Sequence, residues 1–268
     1  MLNETVIVRG GGDIASGAIQ KLHRSGFKVL VLEIKNPTAI RRKVSFSEAL
    51  YEGEIEIEGI SSIYVNGMEE INDAWMQNKV PVIVDSNGKY IELLQPEIVV
   101  DAILAKKNMG TNIDMAPITI GLGPGFEAKK DVHIVIETNR GHDLGRLIFH
   151  GKAQEDTGVP GTIGGYSKER VIYSPCSGVI NTVSKIGDIV KKGETIAYVD
   201  NIEVKATIDG VLRGIIRGGR NICKDLKIAD IDPRIEEKKN CFSISDKART
   251  IGGGVLEAVF YMRKIRSS

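Results

Sequence analysis

The chain has 268 residues, and Lys+Arg 36 against Asp+Glu 35 leaves a formal net charge of +1. That balance gives no electrostatic footprint for nucleic acid, and 5% aromatic content leaves little surface for base stacking. With 42% hydrophobic residues, the length suits one large domain or two modest ones.

The first element is a short apolar strand over Val6 to Val8, which breaks at once into Gly10, Gly11 and Gly12. Ile14, Ala18, Ile19 and Leu22 then recur at helical spacing up to Gly26, and "KVLVLE" is a second buried strand. Strand, glycine turn, helix and strand form a βαβ unit. Gly10, Gly12 and Ala15 satisfy G-x-G-x-x-A, where missing side chains let an anionic group approach the first N–H groups of the helix. Glu33 ends the second strand where a carboxylate takes a ribose hydroxyl. Arg9 and Asp13 beside the turn are untypical of an NAD site. Arg41, Arg42 and Lys43 follow as a basic run that could serve a phosphate or stay solvated.

"SFSEALYEG" reads as a short helix, "EIEIEG" with "SSIYVNG" as a hairpin, and "MEEINDAWMQNK" as an amphipathic helix. "VPVIVDS" and "PEIVVDA" are buried strands, ending in Asp85 and Asp101. "APITIGLGPGF" is a strand that enters a second glycine loop with Gly121, Gly123 and Gly125, at the strand end where open α/β sheets bind ligands. After "DVHIVI" comes "ETNRGHDLGR", which gathers Glu137, Arg140, His142, Asp143 and Arg146. Two arginines suit an anion, and Asp143 or Glu137 could orient His142 for proton transfer. The bland alternative is a solvated loop with internal ion pairs.

From Val171 to about Arg220 the chain turns to short β-type runs with frequent glycine. Its rhythm resembles that of biotinyl and lipoyl modules, with Pro175, Gly178, Gly187, Asp188, Val190, Gly193, Asp209 and Gly210 in place. The hairpin tip, however, carries Asp200 and Asn201 rather than a Met-Lys pair. Last, Ser245 or Asp246 caps a helix whose Gly252, Gly253 and Gly254 imply close backbone approach to a ligand or another element. The expected fold is therefore α/β: a Rossmann-like domain over 1–105, onto which a helix over 245–268 packs, and a β-rich part over 106–244 with a barrel-sandwich-hybrid module at 171–220.

The opening "MLNETVIVRG" has no basic region ahead of a long apolar stretch, and no window reaches about 18 apolar residues. Cys176, Cys223 and Cys241 form no CxxC pair. A cytoplasmic protein without signal peptide, membrane association or metal site is expected.

Several strings taken together, "VIVRGGGDIASG", "LEIKNPTAIRRKVSFSEALYEG", "IGLGPGF", "DVHIVIETNRGHDLGR", "TGVPG", "GVLRG", "DIDP" and "SDKARTIGGGVLEA", resemble the selenium-dependent molybdenum hydroxylase maturation family, which is grouped with xanthine dehydrogenase accessory proteins. The resemblance implies a maturation factor that binds a molybdopterin-type cofactor, or a dinucleotide-bearing precursor. Its partners would be the hydroxylase and other accessory proteins, and a homo-oligomer is compatible with it. Gly10, Gly11, Gly12, Asp13 and Glu33 would hold the nucleotide end. Gly121, Gly123, Gly125, Arg140 and Arg146 would complete the cofactor site, with His142 and Asp143 as the catalytic pair. The alternatives are an NAD-dependent oxidoreductase and a non-catalytic docking protein.

Overall fold

A computed structural model describes residues 4–267. Two compact units emerge: one comprises Met1–Pro37, Ser45–Asp156 and Ile244–Ser268, the other Thr38–Val44 and Thr157–Ser243. The opening tripeptide, part of the stretch read for a signal peptide, lies outside the described residues.

The first unit runs β1 (Thr5–Arg9), α1 (Asp13–Arg24), β2 (Lys28–Glu33), α2 (Ala49–Glu52), β3 (Glu54–Ile57), β4 (Ile60–Tyr64), α3 (Met68–Met76), β5 (Val80–Val84), α4 (Lys89–Leu94), β6 (Ile98–Asp101), β7 (Ile118–Leu122), β8 (Glu127–Ala128), β9 (Ile134–Ile136), β10 (Leu147–Ile148) and β11 (Gly151–Lys152), and closes with α5 (Asp246–Arg266). Nine strands form one sheet in the order β10-β9-β7-β6-β1-β2-β5-β4-β3. The seven from β9 to β4 are parallel, and β10 and β3 pair antiparallel at the two edges. Continuous apolar strands are what a sheet covered on both faces requires. Val6, Val8, Val29 and Val31 share a core with α1 and α5, and Ile7, Leu30 and Leu32 share another with α3 and α4.

α1 and α5 touch through glycine. A Cβ on Gly252 would lie 2.5 Å from the Gly17 carbonyl carbon, and one on Gly17 would lie 3.0 Å from the Ala248 Cα. The second unit holds β12 (Val171–Tyr173), β13 (Gly178–Thr182), β14 (Ile189–Val190), β15 (Thr195–Val199), β16 (Ile202–Lys205), β17 (Gly210–Ile215), β18 (Arg220–Ile222) and β19 (Lys227–Asp232). They form two four-stranded sheets, β12-β19-β17-β14 and β16-β15-β13-β18, over one apolar core.

The expected Rossmann-like domain with a barrel-sandwich-hybrid module is thereby corrected to a large mixed sheet in a broadly α/β chain. The reason lies in pairing beyond residue 105: β7 and β9 extend the parallel order past β6, and the antiparallel β3 and β10 make the sheet mixed. Among the described residues, no helix is long and apolar enough to cross a membrane.

Candidate functional site

The chain leaves β1 towards β2 and β5 on one side, then crosses to β6 on the other. The carboxyl ends of β1 and β6 therefore flank the switch point, the crevice where open α/β sheets take ligands. The first glycine turn lies there, and its three glycines have different reasons to be glycine. Gly10 has φ +90° and its Cβ would stand 3.0 Å from the Ala102 carbonyl oxygen. A Cβ on Gly11 would meet the Ser47 backbone nitrogen at 3.0 Å, and this backbone also donates from Ser47 N–H to the Gly11 oxygen at 2.9 Å. Gly12 has φ −67°, which any residue adopts, and nothing lies within 4 Å of a Cβ built on it. It is the N-cap of the 12-residue α1 and supplies no side-chain cap. Packing thus requires Gly10 and Gly11 but not Gly12, which leaves the space of a side chain free beside the helix end that carries the dipole and the first N–H groups of α1. Asp13 opens the first turn beside it.

Glu33, at the end of β2, accepts the Gly11 N–H on Oε2 at 2.9 Å and the Ile34 N–H on Oε1 at 2.8 Å. Burial raises its pKa against those two hydrogen bonds, which lower it. A carboxylate has about four lone-pair sites, so Glu33 can still accept a ligand hydroxyl. On the other side of β1 lies a network that sequence reading did not assemble. Arg9 and Asp101 are register partners on β1 and β6, both almost fully buried. Asp101 Oδ2 accepts the Thr111 hydroxyl at 2.6 Å and lies 3.5 Å from Arg9 Nη1, and its Oδ1 accepts the Ile103 N–H at 3.1 Å. Arg9 donates to the Thr111 hydroxyl and to the Met109 carbonyl. Burial raises the Asp101 pKa, while the bonds from Thr111 and Ile103 and the charge of Arg9 lower it. The oddity of Arg9 beside the turn is thus explained: it neutralises a buried carboxylate and fixes the loop that passes Gly10. The visible signal was Asp101 at a strand end, but its partner Thr111 lies ten residues further on in an irregular loop.

The second glycine loop is accounted for by packing. A Cβ on Gly121 would meet the Phe126 ring at 2.6 Å, one on Gly123 would strike Thr138, and one on Gly125 would stand 2.8 Å from the Lys107 backbone. Gly121 nonetheless stands beside Asp101 in register, so β2, β1, β6 and β7 bring Glu33, the first turn, Asp101 and Gly121 to one edge of the sheet.

The Arg/His loop follows β9, three strands from β1, or roughly 14 Å at the usual strand spacing. Glu137 is buried and organises it, accepting the N–H groups of Asn139 and Gln154 at 2.7 and 2.8 Å. Arg140 makes a bidentate pair with Asp246 at the start of α5, at 2.8 and 3.0 Å, and this bond raises its pKa. Arg146 pairs with Asp143 at 3.2 Å on the surface. Both line a pocket of about 330 Å³ with Glu137 and His150, and His142 is exposed. The loop is clipped to α5, and the fork of Arg140 is already filled by a carboxylate. Arg41 and Arg42 donate to the Asn240 and Ile215 carbonyls of the second unit. Among the described residues, no cluster of three or more His, Cys, Asp or Glu could hold a metal.

No family model matches the chain. It is 48% identical over 260 residues to a protein of Escherichia coli (strain K12) described as uncharacterized protein YqeB, covering 97% of this chain and 48% of the relative. The chain thus spans about half the length of the curated relative it matches. The solved structures it is similar to include the ectoine utilization protein EutE (DoeB) from Ruegeria pomeroyi, 12% identical over 85% of both chains with a TM-score of 0.26. A succinylglutamate desuccinylase from Silicibacter sp. TM1040 is 13% identical over 85% of this chain and 84% of its own, also at 0.26. An aspartoacylase family protein from Mesorhizobium loti is 9% identical over 85% and 84%, at 0.25. Likeness at this level carries no argument about activity. No protein described as a molybdenum hydroxylase accessory protein is among them, and the resemblance drawn from sequence strings is corrected to likeness with an uncharacterized relative and with desuccinylase- and aspartoacylase-type structures. The maturation role falls with it, and neither the NAD-dependent oxidoreductase nor the docking protein finds support in these comparisons.

Proposed function

We propose that the first unit binds a small molecule at the β1–β6 crevice, with an anionic group of the ligand on the N-terminus of α1 and a hydroxyl group on Glu33. The observation that carries this reading is Gly12. Its φ needs no glycine, no neighbour needs the space, and it caps a helix without a side-chain cap. Gly10 and Gly11 shape the turn, Glu33 accepts the hydroxyl, and Asp13 borders the anion. The Arg9–Asp101–Thr111 network keeps the loop over Ala102 in place beside the turn.

A side chain at Gly12 tests this without touching the fold. Gly12→Glu fits the backbone and puts a carboxylate where the ligand anion would sit. Native mass spectrometry of protein purified from cells should find a phosphate- or carboxylate-bearing small molecule on the wild type and none on Gly12→Glu, with equal thermal midpoints. The same ligand retained by the variant at the same occupancy rules out α1 as its seat.

A further inference from the structure

The second unit carries a buried charged cluster with unmet donors that the first unit's site does not explain. Arg170 and Asp230 are almost fully buried, and Arg170 Nη1 donates to Asp230 Oδ1 at 2.8 Å. Arg213 Nη1 lies 3.6 Å from the other oxygen of the same carboxylate, and its side chain is only 16% exposed. Asp232, the next carboxylate on that strand, is committed to Arg234 by two bonds of 2.9 and 2.7 Å. Arg170 and Arg213 therefore both face Asp230, and Arg213 also feels the charge of Asp232. The Nε atoms of both, Arg170 and Arg213, are buried without a hydrogen-bond acceptor. A buried donor without an acceptor costs free energy, and a buried charge is normally paired.

The backbone places these groups deliberately. Asp230 on β19 is the register partner of Val171 on β12 and of Gly214 on β17. The β17–β19 register shifts between Leu212 and Gly214, so Arg213 is the extra residue of a β-bulge, a device that re-aims a side chain. Leu212 and Ile215 remain in the apolar core, while Arg213 leaves it. Arg41 lies next to this place: its Cγ is 3.3 Å from where a Gly214 Cβ would be, and with Arg213 and Asp232 it acts electrostatically on the buried Cys241 thiol.

We propose that Arg170 and Arg213 hold a small oxyanion of the phosphate or sulfate type on this face of the β12–β19–β17 sheet, either as the free ion or as the end group of a larger molecule. The anion would accept the two Nε–H donors. Arginine suits this task because its fork matches oxyanion geometry.

The test is a titration of the full chain, ¹⁵N-labelled, with inorganic phosphate against chloride at equal ionic strength. Saturable movement of the Arg213 and Arg170 Nε–Hε resonances is expected, in the wild type and in Gly12→Glu alike. Phosphate about a hundredfold above its Kd should raise the melting midpoint by roughly 5 to 10 °C, and Arg213→Gln should lose that rise. Glycerol 3-phosphate binding more tightly than inorganic phosphate marks an end group, and equal binding marks the free ion. Should Arg213→Gln fail to fold, the wild-type Nε titration alone decides. Unmoved Nε resonances at saturating phosphate overturn the proposal, as does a folded Arg213→Gln that keeps the thermal shift.

Discussion

Alanine at Gly252 and at Gly253 should change stability in opposite directions, although the residues are neighbours in α5. Both gain helix propensity, about 1 kcal/mol for Gly to Ala in a helix interior. At Gly253 nothing lies within 4 Å of the new methyl, so that gain stands alone and the variant should be more stable by about 0.5–1 kcal/mol. At Gly252 the methyl would lie 2.5 Å from the Gly17 carbonyl carbon and 2.9 Å from the Ala18 nitrogen. Carbon contacts favour roughly 3.5–4.0 Å, so the overlap is about 1 Å. Both obstacles are backbone, so no rotamer change relieves them and α1 must move away from α5. A gap of about 1 Å forfeits up to half of each dispersion contact along the seam, where Ala18, Ala248, Ile251 and Val255 are fully buried. Overpacking of this kind costs about 1–3 kcal/mol and sometimes more. A net loss of up to about 2 kcal/mol remains after the propensity gain, or up to roughly 8 °C in the melting midpoint for a unit of this size. Urea unfolding followed by circular dichroism measures both variants. Equal effects at the two positions would refute the reasoning, since only the backbone contact distinguishes them.

Glu33→Gln should alter the pH profile of stability. Burial raises the folded pKa of Glu33 above its ordinary 4.5, so the stability it contributes is fully present below that value and is lost as pH rises through the folded pKa. The variant should therefore gain on the wild type between acid and neutral pH, measured by urea midpoints across that range; a constant difference contradicts the assignment. The three thiols should react in order of exposure: Cys223 is exposed, Cys176 intermediate and Cys241 buried. A thiol reagent followed by mass spectrometry should label Cys223 first and Cys241 only under denaturant; early labelling of Cys241 would show that its covering opens. The Arg140–Asp246 pair is exposed on both sides, so Arg140→Ala should cost about 0.2–1 kcal/mol of stability and no more. A larger loss in urea would mean that the pair holds the loop as a whole.

Much of the sheet was legible because its strands are continuous apolar runs, and the glycine triplet of α5 announced a close approach that is met by Gly17 and Gly145. α4 went unread: six residues between left-handed Gly88 and Gln95 are too short for a helical period to appear. The extent of the sheet was unread as well, since pairing of β6 with β7 is set by tertiary register and not by local pattern. Glycine by itself was ambiguous. Gly10, Gly12, Gly121 and Gly125 look alike in sequence, and only the neighbours separate packing from open space. Arg9 and Thr111 lie 102 residues apart in the chain, so their network was invisible until folded. The carboxylate partner of Arg140, Asp246, lies 106 residues away, so that pair was not legible in the loop's own sequence. A glycine turn reports strand–turn–helix geometry, and strings of such turns say less about activity than about backbone.

The most direct measurement is an amide titration of the wild type and Gly12→Glu with ribose 5-phosphate, a probe that carries both an anion and hydroxyl groups. Binding at the α1 crevice predicts saturable shifts at Gly11, Gly12, Asp13 and Ile14 in the wild type, absent in the variant at unchanged melting midpoint. An unmoved first turn of α1, or identical shifts in Gly12→Glu, would contradict the site.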